Sequence, residues 1–321
     1  MLIKNCEIIF MTLWDVGQSI NLALAREKVS GIQKTLTIQT KDTPHKIVLP
    51  STLQLDLIHK TGISSSLFSE IRIHAKLYQD GVISFLTYVY FPEIELDSFH
   101  TVRKLTLPFE KDPISLDEWI TLQYNQLRSE ISYSISLGLY DSDNVEPEKY
   151  TFFCIRDPTI QPSNFFAENS KYVATLLIGE NPDIPLHPKI IQRCLQNPFS
   201  FLENDMIIFD IDRAIIIDPY LDYEDIVLIT ELANYQLLEL RVLDEVLNRW
   251  QKIAEKEINS IYKAKRRLKR AGKVRLEEIT KVRYVAVFIL YYIQNVSKII
   301  GDYFLAQIYT HLCELFQLDE W

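Results

Sequence analysis

The chain has 321 residues, of which 47% are hydrophobic and 24% charged, with a formal net charge of −9. That much apolar surface can offset the entropy of ordering the chain, so a wholly disordered protein is excluded. The acidic balance favours solubility and, taken over the whole chain, opposes binding to polyanions. The charge is unevenly spread: 251–283 holds twelve Lys or Arg against four acids, a local +8, which leaves −17 elsewhere.

In chain order, Cys6–Trp14 (CEIIFMTLW) reads as a strand and Asn21–Val29 as a short helix. Ile71–Tyr90 reads as a hairpin, because Gln79-Asp80-Gly81 is a turn signal between apolar alternations. Leu116–Leu137 is expected to be helical and Tyr172–Ile178 a strand, followed by a helix over Ile190–Leu202 interrupted at Pro198. Met206–Phe209 and Ala214–Ile217 make a second hairpin over Asp212-Arg213. Strands mixed with helices and hairpins predict a mixed sheet, hence an α+β globule over residues 1–220.

Proline marks the boundary. All thirteen prolines lie at or before Pro219, and the next 102 residues have none. Proline costs roughly 3 kcal/mol inside a helix, so its absence permits long helices there. Asp222 and Asp225 resemble a capping arrangement. Leu240, Leu243, Leu247 and Trp250 then repeat every three or four residues, a stripe with weak coiled-coil character reaching about Leu268. Gly272 breaks it, and a second helix is expected from about Leu276 to the end. Residues 221–321 therefore read as a long antiparallel α-helical hairpin with a basic tip near 263–283.

Candidate chemistry is sparse. Ile207-Ile-Phe-Asp210-Ile-Asp212 has the form of a strand followed by DxD, as in haloacid-dehalogenase-type phosphatases that use a nucleophilic Asp and magnesium. Ala214 stands where Thr or Val is usual, and the strand turns straight back, so a solvated hairpin turn is the stronger reading. The acids Asp218, Asp222, Glu224 and Asp225 suit a helix N-terminus better than a metal. His187 with Cys194, and His311 with Cys313, lack a second pair at zinc spacing. Cys6, Cys154, Cys194 and Cys313 contain no CxxC and are expected to be free thiols in a reducing, cytoplasmic setting. Neither a phosphate loop nor a nucleophile elbow occurs. The expectation is a chain that is not an enzyme and needs no cofactor or metal.

The strongest unusual feature is Lys263–Arg275, with eight cations in thirteen residues. Lys265, Arg266, Arg267, Lys269 and Arg270 are the candidate anion-binding residues. An anionic membrane surface is favoured over nucleic acid, because only Tyr262 and Tyr284 flank the run and no aromatic interleaves with it.

At Ala233–Arg241 (ANYQLLELR) and Val296–Tyr309 (VSKIIGDYFLAQIY) the chain resembles uncharacterised bacterial relatives of the "required for meiotic nuclear division" family of membrane-anchored proteins. Leu13–Ile20 (LWDVGQSI) and Leu77–Ile83 (LYQDGVI) fit the same pattern. The resemblance implies an α/β domain, a helical hairpin and hydrophobic C-terminal helices. Those last helices are absent from this chain, and the resemblance places them in a segment missing here. It supplies no catalytic residues. The resulting expectation is an oligomeric interaction module, a homo-oligomer at the cytoplasmic face of a membrane. A magnesium-dependent phosphohydrolase using Asp210 and Asp212, or an RNA-associated accessory protein, is the alternative.

Overall fold

The computed structural model describes residues 1–29, 32–34, 52–61, 68–107, 113–137, 145–221, 223–263 and 302–318. Its centre is β1 (Leu2–Asp15), which pairs antiparallel with β6 (Val82–Glu95) on one side and β8 (Glu148–Ile155) on the other. Beyond β6 come β5 (Glu70–Tyr78), β4 (Thr52–Thr61) and β3 (Ile32–Lys34). Beyond β8 come β10 (Arg213–Ile217) and then β9 (Met206–Phe209). The β8–β10 pair is parallel and makes the sheet mixed. A small ribbon joins β2 (Ser19–Ile20) to β7 (Ile135–Ser136).

Strand alternation sends β1 side chains to two cores. Ile8 and Phe10 enter one, Ile9, Met11 and Leu13 the other. The first core is roofed by a 3-10 helix (Leu96–Lys104), α2 (Leu116–Glu130), α3 (Pro162–Glu168) and α4 (Ser170–Ile178), through Phe99, Trp119, Phe165 and Leu177. The second is covered by α6 (Glu224–Lys263) and α7 (Tyr303–Leu315), through Leu238, Leu240, Ile308 and Leu312. Helices therefore lie on both faces of a mixed sheet, an α+β architecture. Each fully buried Leu, Ile or Phe contributes about 1.5–3 kcal/mol.

The early elements form where the local chemistry directs them. Asn21 accepts the Leu24 amide at 3.2 Å and so caps α1 (Leu22–Lys28). Gly81 has φ +96, and a Cβ there would stand 1.8 Å from the Gly17 carbonyl oxygen. Only glycine permits that β5–β6 turn.

Three expectations need correction. Tyr172–Ile178 is not a strand but most of α4, ended by Gly179 in the left-handed region. Its apolar run carries no helical face because Val173, Ala174, Leu176 and Leu177 are all buried. The helix begun at Leu116 stops at Glu130, where the chain tightens into a 3-10 turn and β7 instead of reaching Leu137. α5 (Pro188–Cys194) ends before Pro198, and Phe199 bridges to Ile207 beside β9. The antiparallel hairpin expected after residue 221 falls largely outside the described residues, as does the basic tip over 264–283. Within them, α6 and α7 pack together against the sheet.

Candidate functional site

The strand β5 places Glu70, Arg72, His74, Lys76 and Tyr78 on one face and Ile71, Ile73, Ala75 and Leu77 on the other. The apolar set enters the first core. Of the titratable set, Arg72 meets Glu7 of β1, while Lys76 and Tyr78 meet Glu231 of α6, so that two ion-paired groups form.

The first group is centred on Glu7, which is 2% exposed. Its carboxylate accepts hydrogen bonds from Arg72 at 2.7 Å, from the Tyr223 hydroxyl at 2.7 Å, and from Arg156. Arg156 also donates through Nε to the Tyr223 oxygen at 2.7 Å. The Arg72 guanidinium lies 4.9 Å from the Tyr88 ring, and that of Arg156 lies 5.4 Å from Tyr223. Burial opposes the Arg156 charge, but Glu7 and Tyr223 outweigh it and raise its pKa. Burial, with Glu231, Glu224 and Glu7 close by, pushes the Tyr88 phenol far up, so it stays protonated. Two guanidiniums thus share one buried carboxylate, and aromatic faces take up the remaining charge.

The second group pairs Lys76 with Glu231 of α6, both buried, and Tyr78 donates to the same carboxylate at 3.2 Å. Tyr78 stacks on Tyr235 at 4.7 Å, and the Tyr235 hydroxyl donates to Asp80 at 3.1 Å. Toward the sheet edge, His74 Nδ1 lies 2.6 Å from Asp56, and His59 Nε2 lies 3.0 Å from Glu70. Among the described residues no activated thiol accompanies these pairs: burial raises the Cys6 and Cys154 thiols, keeping both protonated. Chemically, the arrangement fastens the first half of α6 to the sheet by matched charges.

The residues singled out in the sequence are dispersed. Asp210 and Asp212 sit in the β9–β10 turn. The Asp210 amide donates to the Arg213 carbonyl at 2.7 Å, its carboxylate accepts the Ile211 amide at 2.7 Å, and Arg213 faces Asp212 at 3.6 Å. Asp218 accepts the Tyr220 amide at 2.8 Å, and Asp222 lies outside the described residues. His187 caps α5 by accepting the Lys189 amide, while His311 and Cys313 lie on α7. Among the described residues no cluster of His, Cys, Asp or Glu could hold a metal, and no helix is long and apolar enough to cross a membrane. Leu240 is buried in the second core, Leu243 half-buried and Leu247 exposed. The Trp250 side chain and Lys265, Arg266, Arg267, Lys269 and Arg270 lie outside the described residues. Sequence reasoning missed Glu7, Arg72, Lys76, Arg156 and Glu231. The available signal was the strict alternation of titratable residues in β5.

The sequence model of a family described as "Uncharacterized protein MJ0711, N-terminal domain" matches residues 5–224. The chain belongs to this family. A relative, uncharacterized protein MJ0711 of Methanocaldococcus jannaschii, is 29% identical over 178 residues, which cover 54% of this chain and 52% of the relative. The match therefore spans about half the length of that protein. No solved structure matches the chain. The MJ0711 N-terminal region takes in Glu7, Arg72, Arg156 and Tyr223 and stops as α6 begins. The Glu7 group is thus internal to the family domain, whereas Glu231 and the rest of α6 lie beyond it.

Proposed function

We propose that this chain is a non-enzymatic interaction module. In this reading an α/β platform grips one end of a long helix and presents the remainder to a second copy and to an anionic membrane surface. The observation that carries it is the division of α6. The helix has 40 residues, about 60 Å at ~1.5 Å per residue. Among its described side chains the last buried one is Val246, and those at 247–249, 251 and 252 are exposed or half-exposed, Leu247 at 45%. In the sequence the apolar stripe nevertheless continues through Leu247, Trp250, Ala254 and Ile261. An apolar stripe of that length suits pairing with another helix, and in this reading the partner is a second copy. The likeness to the membrane-anchored meiotic-division family supports the same reading.

Sedimentation tests the first half. The wild-type chain should self-associate at micromolar concentration and Leu247→Glu should shift it to monomer with its helical spectrum unchanged. A wild type that stays monomeric at tens of micromolar sinks the oligomer. Vesicle flotation tests the second half. The segment should bind anionic but not neutral liposomes, with each cation near the surface contributing about 1 kcal/mol. Reversing the charge of Lys265, Arg266, Arg267, Lys269 and Arg270 should abolish binding, and unchanged binding would remove the membrane from the proposal.

A further inference from the structure

A groove of about 710 Å³ opens between α7 and the segment 196–199 that leads into β9. The groove is shallow and open to solvent. Tyr303, Gln307, Thr310 and Glu314 line one wall. They are spaced four, three and four residues apart, so they form a single helix stripe about 16 Å long. Phe199 faces them and His311 lies deeper, 5.2 Å from the Phe199 ring and 6.3 Å from Phe209.

The hydrogen-bond inventory of this stripe is lopsided. Thr310 uses its hydroxyl proton on the Ala306 carbonyl at 2.9 Å, which leaves lone pairs. Gln307 donates its amide to the Tyr303 oxygen at 3.1 Å, which leaves its carbonyl. Glu314 is exposed and, among the described residues, makes no ion pair. Burial lowers the His311 pKa, so the ring is neutral near pH 7 and does not repel a cation. No Lys or Arg occurs among the described lining residues. The groove therefore offers acceptors, one negative charge and the faces of two aromatic rings.

We propose that this groove binds an organic monocation, a primary ammonium or guanidinium on a short apolar stem. The charge sits between Glu314 and Thr310 Oγ1, which are one turn apart, and the stem runs along Phe199 toward Gln307 and Tyr303. The same chemistry is carried by a free amine or by a Lys or Arg side chain of a polypeptide.

Saturation-transfer NMR on the full chain tests this, using n-butylammonium, n-butylguanidinium, a blocked Gly-Gly-Lys-Gly-Gly peptide and, as control, butyrate. Saturable binding of at least one cation, with none for butyrate, is expected. Binding of the peptide alone points to a protein side chain, and equal binding of the free amines to a small metabolite. Glu314→Gln should weaken binding about two- to fivefold, as loss of a solvent-exposed ion pair does. Tyr303→Ala, at a residue 79% exposed, should weaken it about two- to fivefold. Gln307→Ala is the second variant should Glu314→Gln lose its helical spectrum, and a severalfold loss is again expected. The proposal is overturned if no cation binds saturably, or if binding is untouched by the Glu314 and Gln307 substitutions.

Discussion

Glu7 shows how much can rest on one side chain. Replacing it with Gln leaves Arg72 and Arg156 facing each other across a neutral amide in a largely dry interface. Breaking a buried pair on one side costs about 3–5 kcal/mol, much more than such a pair adds over apolar packing. The unfolding free energy of Glu7→Gln, from urea titration, should fall by that amount, and a change within ~0.5 kcal/mol would mean that water already reaches the guanidiniums. Glu239 on α6 makes the opposite kind of prediction. Burial first, then the charges of Asp15 and Asp80, raise its pKa well above the ordinary 4.5, and its Oε1 has no hydrogen-bond partner. The folded state thus holds this proton more tightly than the unfolded chain. Its contribution is complete below the ordinary glutamate range and is lost as pH rises through the folded value. Glu239→Gln should gain stability relative to wild type as pH increases, and parallel pH profiles would refute the assignment. Neither residue was legible in the sequence. Nothing local distinguishes either carboxylate from a solvated one. What each faces is set by long-range packing: Glu7 and Tyr223 are 216 positions apart.

Among elements, those defined by a local signal were legible. The β5–β6 and β9–β10 hairpins follow from turn residues, and α1 from its apolar spacing. Gly81→Ala tests the first of these directly. The new methyl would meet the Gly17 backbone at 1.8 Å, so the loss should exceed the ~1–2 kcal/mol of left-handed strain alone. A melting temperature within a degree or two of wild type would show that the turn can shift freely. Elements without such a signal were misjudged or missed. Tyr-Val-Ala-Thr-Leu-Leu-Ile over 172–178 has strand-like composition, but burial on every side and the Gly179 cap make it a helix. β4 and β8 were overlooked, although β8 (EKYTFFCI) alternates only at its start before becoming continuously apolar, as expected for a strand covered on both faces. The titratable stripe of β5 was visible as a pattern. Its partner helix, contributed from more than 140 residues away, was not.

At the scale of the molecule, the sequence reads as a globule over 1–220 and a helical hairpin after it, with no linker to hold them apart. In the structure Tyr223–Leu240 and Ile308–Leu318 share one hydrophobic cluster with β1, β8 and β10. Removing residues 224–321 would therefore expose the second face of the sheet, including Ile9, Met11, Phe152 and Ile216. A fragment ending at residue 224 should bind a hydrophobic dye and aggregate, and a monodisperse, dye-silent fragment would show that the family domain is self-sufficient. The central place of β1 also has a consequence for synthesis. This strand emerges from the ribosome about 140 residues before β8, its second neighbour. At about 5–20 residues per second the interval is roughly 7–30 s. For that time an apolar strand waits with at least one open edge, so nascent chains halted before residue 148 should depend on chaperones far more than the full-length chain.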